Sequence, residues 1–182
     1  MTIPFPGHAA PTASTDVPLE MLAACHLRIR HQCATLRRLA DYLPTRGSDE
    51  QAQQAATAVL RYFDTAAAHH HADEEEDLFP ALLESVAGSD PVCIRELIYT
   101  LEREHRRLDA AWRHLRKALV DIADGRQAVL DPAQVDGFVQ AYERHIELEE
   151  ADLLPLADRL LDQRQIEALG LAMRSRRGLG AD

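Results

Sequence analysis

Aromatic residues are scarce in this chain: 182 positions hold one tryptophan, four tyrosines and four phenylalanines. β-Branched residues are sparse as well, which removes the composition that builds sheets. Alanine, leucine, arginine and glutamate take their place, and these are strong helix formers. Every apolar stretch is broken by charge well short of the roughly 18 residues a membrane helix needs. No run of Lys and Arg alternates with aromatics and the formal net charge is −10, so neither a nucleic-acid nor a membrane partner is expected. The three cysteines, Cys25, Cys33 and Cys93, form no CxxC and cannot all pair. They point to a reducing cytoplasm, with the thiols as small buried hydrophobes. Residues 1–15 carry Pro4, Pro6 and Pro11 without a basic or apolar signal segment, and read as a disordered lead. No HExxH is present, so a zincin-type protease is not expected.

Helical periodicity fills what remains. The first helix begins near Asp16, with Leu22, His26, Ile29, Cys33, Leu36 and Leu39 at three- and four-residue spacing, and ends at Pro44-Thr45-Arg46-Gly47. A second starts at Ser48 or Asp49 and runs to about Val86, where Gly88-Ser89-Asp90-Pro91 stops it and caps the next. The third carries Ile94, Ile98, Leu101, His105, Leu108, Trp112, Leu115 and Leu119 and ends near Gly125. Asp131-Pro132 opens the fourth, which runs to about Leu161. Long helices on short loops pack as antiparallel neighbours. The expected fold is all-α: an antiparallel up-down-up-down four-helix bundle over residues 16–162, followed by a short amphipathic helix and tail over 163–182.

One pattern is written twice. His70-His71-Ala72-Asp73-Glu74-Glu75-Glu76-Asp77-Leu78-Phe79-Pro80 reappears as His145-Ile146-Glu147-Leu148-Glu149-Glu150-Ala151-Asp152-Leu153-Leu154-Pro155. Positions i and i+4 of a helix lie within about 40° of each other, so each copy aims an imidazole and a carboxylate the same way. A histidine on the apolar face of the preceding helix, His26 or His105, precedes each copy. Two helical hairpins related by a pseudo-twofold would bring four histidines and two glutamates to one level of the core. Pro80 and Pro155 are expected to kink their helices below that level without ending them.

Burying imidazoles and carboxylates is costly unless they pair or coordinate a cation. Their mixed nitrogen and oxygen donors suit iron, manganese or zinc. With two metals, Glu74 and Glu149 would each bridge, His26 and His70 would serve one ion, and His105 and His145 the other. A shared oxo or hydroxo group makes five donors per ion and leaves one position open on each. The remote imidazole nitrogens need hydrogen bonds, for which Glu75, Glu104 and Glu150 are the expected acceptors. The neighbouring histidines are expected elsewhere: His69 and His71 at the rim or surface, His31 and His114 in solvent. Trp112 reads as core, Cys25 as an inert buried thiol, and the Arg174-Ser175-Arg176-Arg177 stretch as a solvated helix end.

His26, the segment His70 to Pro80, Glu104-His105 and the segment His145 to Pro155 together resemble the hemerythrin-like family, the HHE cation-binding domain. The resemblance covers about residues 16–162 and the trailing Gln165-Ile166-Glu167-Ala168-Leu169-Gly170 helix. It implies a non-haem centre of two iron ions, oxo- or hydroxo-bridged, with zinc or manganese as substitutes. The ligands it implies are His26, His70, Glu74, His105, His145 and Glu149. Ferritin-like di-iron sites fit worse, since they place Glu before His in Glu-x-x-His. Oxygen-carrying hemerythrins have a further histidine four residues before the third-helix one, and here that position is Leu101. The expected role is therefore binding or sensing of a small diatomic ligand, oxygen or nitric oxide, or of iron itself, by a monomer or homodimer. The alternatives are a redox enzyme acting on peroxide, oxygen or nitric oxide, and a structural bundle holding zinc or no metal.

Overall fold

The computed structural model describes residues 17–87, 92–127 and 129–179. The lead over residues 1–15, the start at Asp16 and the Gly88-Ser89-Asp90-Pro91 cap lie outside them. The described residues form helices and no strand. Helix α1 spans Pro18–Arg46 and keeps Pro44 within its last turn, ending at Gly47 with φ 66°. Helix α2 is one continuous run, 50–85, opened by the Asp49 side chain accepting from Ala52 N. Helix α3 is Val92–Ala123, α4 is the run 132–160 opened by Asp131, and α5 is Gln163–Arg176 with a capping box between Asp162 and Gln165. No helix among the described residues is long and apolar enough to cross a membrane.

Helix α1 packs on α2 and α4, and α3 packs on the same two, so the four long helices enclose a common interior. That interior is divided. One apolar cluster holds Ile29 to Leu43 of α1, Ala52 to Ala67 of α2, Leu108 to Ile122 of α3 and Val135 to Ile146 of α4. The other holds Met21 and Leu22, Leu78 to Leu82, Ile98 and Leu101, and Leu153 and Ala157, closed by Leu169 and Met173 of α5. Helices α1 and α3 run from the second cluster to the first, and α2 and α4 run back. Between the clusters, all four helices place buried polar residues: His26, His70 and Glu74, His105, and His145 and Glu149.

Neither Pro80 nor Pro155 ends its helix. In both cases the backbone widens into a π-helical turn just upstream, Asp73–Leu78 and Glu149–Leu153, and α-helix resumes with the proline in its first turn. A proline ring clashes with the carbonyl four residues back and offers no N–H to it. One extra residue in the turn relieves that clash. Phe79 N–H then donates to the Glu74 carbonyl and Leu154 N–H to the Glu149 carbonyl, five residues back. The sequence repeat is thus a backbone repeat too, and π-turns of this kind gather at functional sites.

Two expectations about the periphery fail. Cys25 and Cys33 are buried, but Cys93 is exposed near the start of α3. The C-terminal arginines are not a solvated helix end. Arg177 Nη2 donates to Asp73 Oδ2 at 2.6 Å, and Arg176 binds Asp73, Glu76 and Asp77. Asp73 is fully buried, and an unpaired carboxylate there would be costly, so the arginines of α5 are drawn onto it.

Candidate metal centre

The polar layer converges on two groups of donors that share Glu74 and Glu149. The first group is His26, His70, Glu74 and Glu149, and the second is Glu74, His105, His145 and Glu149; within each group the donor atoms lie within 4.8 Å of one another. Glu149 divides its carboxylate between them. Oε2 lies 3.0 Å from His26 Nε2 and 3.9 Å from His70 Nε2, while Oε1 lies 2.8 Å from His145 Nε2 and 3.7 Å from His105 Nε2. Glu74 does the same from the opposite repeat, with Oε1 3.8 Å from His70 Nε2 and Oε2 3.4 Å from His105 Nε2. The π-turns carry both carboxylates into this position.

Three of the four remote nitrogens are held from outside, and His70 Nδ1 is not. His26 Nδ1 lies 3.1 Å from Glu150 Oε1, His145 Nδ1 lies 3.1 Å from Glu104 Oε2, and His105 Nδ1 lies 2.6 Å from Glu75 Oε1. Glu150 is itself fixed by Arg30 through two bonds of 2.8 and 2.9 Å. A carboxylate at Nδ1 keeps the proton on that nitrogen and turns the Nε2 lone pair inward, the tautomer a metal requires.

Most of the inward atoms have no hydrogen-bond partner. His26 Nε2, His70 Nδ1 and Nε2, His71 Nε2, and both oxygens of Glu74 and of Glu149 are buried and unsatisfied. The only other such atom among the described residues is Gln32 Oε1. Buried polar atoms are nearly always paired, so this concentration in one layer calls for a cation. The donor chemistry fits: neutral imidazoles and carboxylates, no thiolate, suited to iron, manganese or zinc.

Without a cation the layer is held by protons. Burial and the neighbouring Glu149 push the Glu74 carboxyl up to about 7. Burial also raises the cost of ionising Glu149, but contacts from His105, His145 and His26 outweigh it and hold Glu149 well below the usual carboxylate range. His105 is pushed up to about 11, burial being overcome by Glu149, Glu74 and Glu75. His70, with only distant carboxylates, is pushed down to about 3 by burial.

His71 departs from its expected place at the rim. It is 7% exposed, its ring stacks on His105 with centroids 4.0 Å apart, and its nitrogen joins those of His105 and His145 in a third group. The repeat itself held the missed signal. His71 matches Ile146, which is buried in the apolar interior, so the matching face of the first copy faces inward as well. His31 and His114 are exposed and Trp112 is core, as their spacing suggests.

The hemerythrin HHE cation binding domain matches residues 17–157. The chain belongs to that family. An uncharacterized protein from Haemophilus influenzae is 34% identical over 165 residues, covering 91% of this chain and 92% of its own. In this hemerythrin-type chain the four histidines of the layer come one from each long helix, and the two shared glutamates come from the paired π-turns.

Proposed function

We propose that this protein holds two iron ions in the polar layer and uses them to bind or sense a small diatomic ligand, oxygen or nitric oxide. His26 and His70 would hold one ion, His105 and His145 the other, with Glu74 and Glu149 shared. The observation that carries this is the divided Glu149 carboxylate, one oxygen turned to each histidine pair. That division puts one oxygen within reach of each of two ions, as a bridging carboxylate requires. The alternating helix directions between the two apolar clusters support an antiparallel up-down-up-down four-helix bundle around the pair.

Bound iron would supply an open coordination position and a change of oxidation state. The chain's own residues set the surroundings. Glu75, Glu104 and Glu150 orient the imidazoles, and the apolar clusters on both sides exclude water from the layer. Leu101 is fully buried where oxygen carriers have a histidine, which leaves the His105–His145 ion short of one of their donors. Anaerobic reconstitution with ferrous iron, metal analysis and visible spectroscopy test the reading. About two irons per chain and a reversible spectral change with the gas are expected. Sustained turnover of peroxide or nitric oxide would instead make it an enzyme, and absence of iron uptake would sink the proposal.

A further inference from the structure

His71 is buried beside the second group of donors without the geometry of a ligand. Its ring is within 14° of parallel to His105, with centroids 4.0 Å apart. Two five-membered rings that close must lie face to face, since side by side their edges would overlap. Their in-plane lone pairs then run in separate planes and cannot meet on one ion at the roughly 2.0–2.1 Å of an imidazole–metal bond. His71 therefore stands next to the ion of His105 and His145 and not on it. Its Nε2 is buried and lacks a partner, while Nδ1 faces Asp109 at 3.9 Å, too far for a direct hydrogen bond. At that distance Asp109 does not lock the proton on Nδ1, so an acceptor placed against Nε2 can draw the proton to that nitrogen.

The matching residue of the second repeat is Ile146, buried and apolar. The two half-sites therefore differ: a polar group flanks His105, and an aliphatic one takes its place in the other repeat. A buried Nε2 with no protein partner needs one from outside the chain.

Resting on the two-metal reading above, we infer that His71 is a specificity-determining residue whose Nε2–H hydrogen-bonds to a small anionic or polar ligand at the open position of the His105–His145 ion. Ligands with an acceptor atom beyond the one bound to metal, such as azide, gain from it.

Azide binding to the oxidised, iron-loaded full chain tests this. The wild type should show an azide stretch that shifts between H2O and D2O. His71→Phe should keep the metal content and imidazole count seen by X-ray absorption, lose the isotope shift, and bind azide about tenfold more weakly, the effect of one hydrogen bond. His71→Gln, which retains an N–H donor, should recover much of the affinity. A drop in metal or imidazole count in His71→Phe would make His71 a ligand and overturn the inference. Unchanged azide affinity and no isotope shift would reduce it to packing. Should His71→Phe fail to fold, the wild-type isotope shift alone decides. If the wild type takes up no metal pair, the two-metal reading fails first, which metal analysis detects before azide is added.

Discussion

His105 and His145 turn their Nε2 atoms toward each other at 3.1 Å while their Nδ1 atoms face Glu75 and Glu104. Two lone pairs at that distance repel unless a proton or a cation lies between them. Two imidazoles at right angles on one ion at about 2.1 Å would sit about 3.0 Å apart, so the spacing suits a shared metal.

The metal-free protein should be most stable near pH 6.5, the ordinary histidine value. His105 has a raised folded pKa, about 11, and His26 and His145 are raised too, burial being outweighed chiefly by Glu149. Their contribution is complete below about pH 6.5 and fades as pH climbs toward 11. Burial holds His70 at about 3 and His71 well below the usual value, so below about pH 6.5 the unfolded chain takes up protons these two refuse. Stability then falls on the acid side as well. Urea melts at pH 5.5, 6.5 and 8.5 in chelator check this, and a flat profile would contradict the proton-held layer.

Metal removal should lower the melting temperature. A ligand that binds only the folded state at a hundred times its Kd adds about 2.7 kcal/mol. Calorimetry of the iron-loaded protein before and after chelation measures the difference, and identical transitions would mean the layer holds no ion.

Glu149→Ala should cost both metals and about 3–5 kcal/mol, because four buried imidazoles lose their shared carboxylate. Glu74→Ala should also release metal with a smaller loss of stability, since Glu74 approaches only His70 and His105, at 3.8 and 3.4 Å. Metal analysis and denaturant melts separate the two. Retention of both irons in either variant refutes the bridging assignment.

Arg176→Ala combined with Arg177→Ala should destabilise the fold by about 3–5 kcal/mol, because it strands the buried Asp73 carboxylate. Asp73→Asn in that background should restore part of the loss. Asp73 precedes Glu74 in the same π-turn, so the double variant should also release iron faster in a chelator-exchange assay. A variant as stable as wild type would show that α5 merely rests on the bundle.

Leu101→His should slow autoxidation of the ferrous protein by adding a donor near His105, one helical turn away. Its cost in the metal-free state is a buried imidazole in an apolar cluster. Stopped-flow decay in air measures the rate, and an unchanged rate would discard the open-position account of Leu101.

Much of the architecture was legible because it depends on local pattern. The spacing of Leu22, His26, Ile29 and their counterparts, the Asp49 and Asp131 caps, and the doubled His-x-x-x-Glu-Glu are properties of single helices and of their repetition. These are enough to indicate the family and to nominate the four histidines and two glutamates that the fold brings together. Tertiary structure decided the rest. Whether a proline kinks or widens its helix depends on how neighbouring helices accept the extra residue, so the π-turns under Glu74 and Glu149 were not legible. The fate of His71 and Asp73 was set by what lies across from them: His105 on α3, and Arg176 and Arg177 on α5. A helix's periodicity says which side is apolar, but desolvation and charge pairing across the bundle determine which polar residues go in with it.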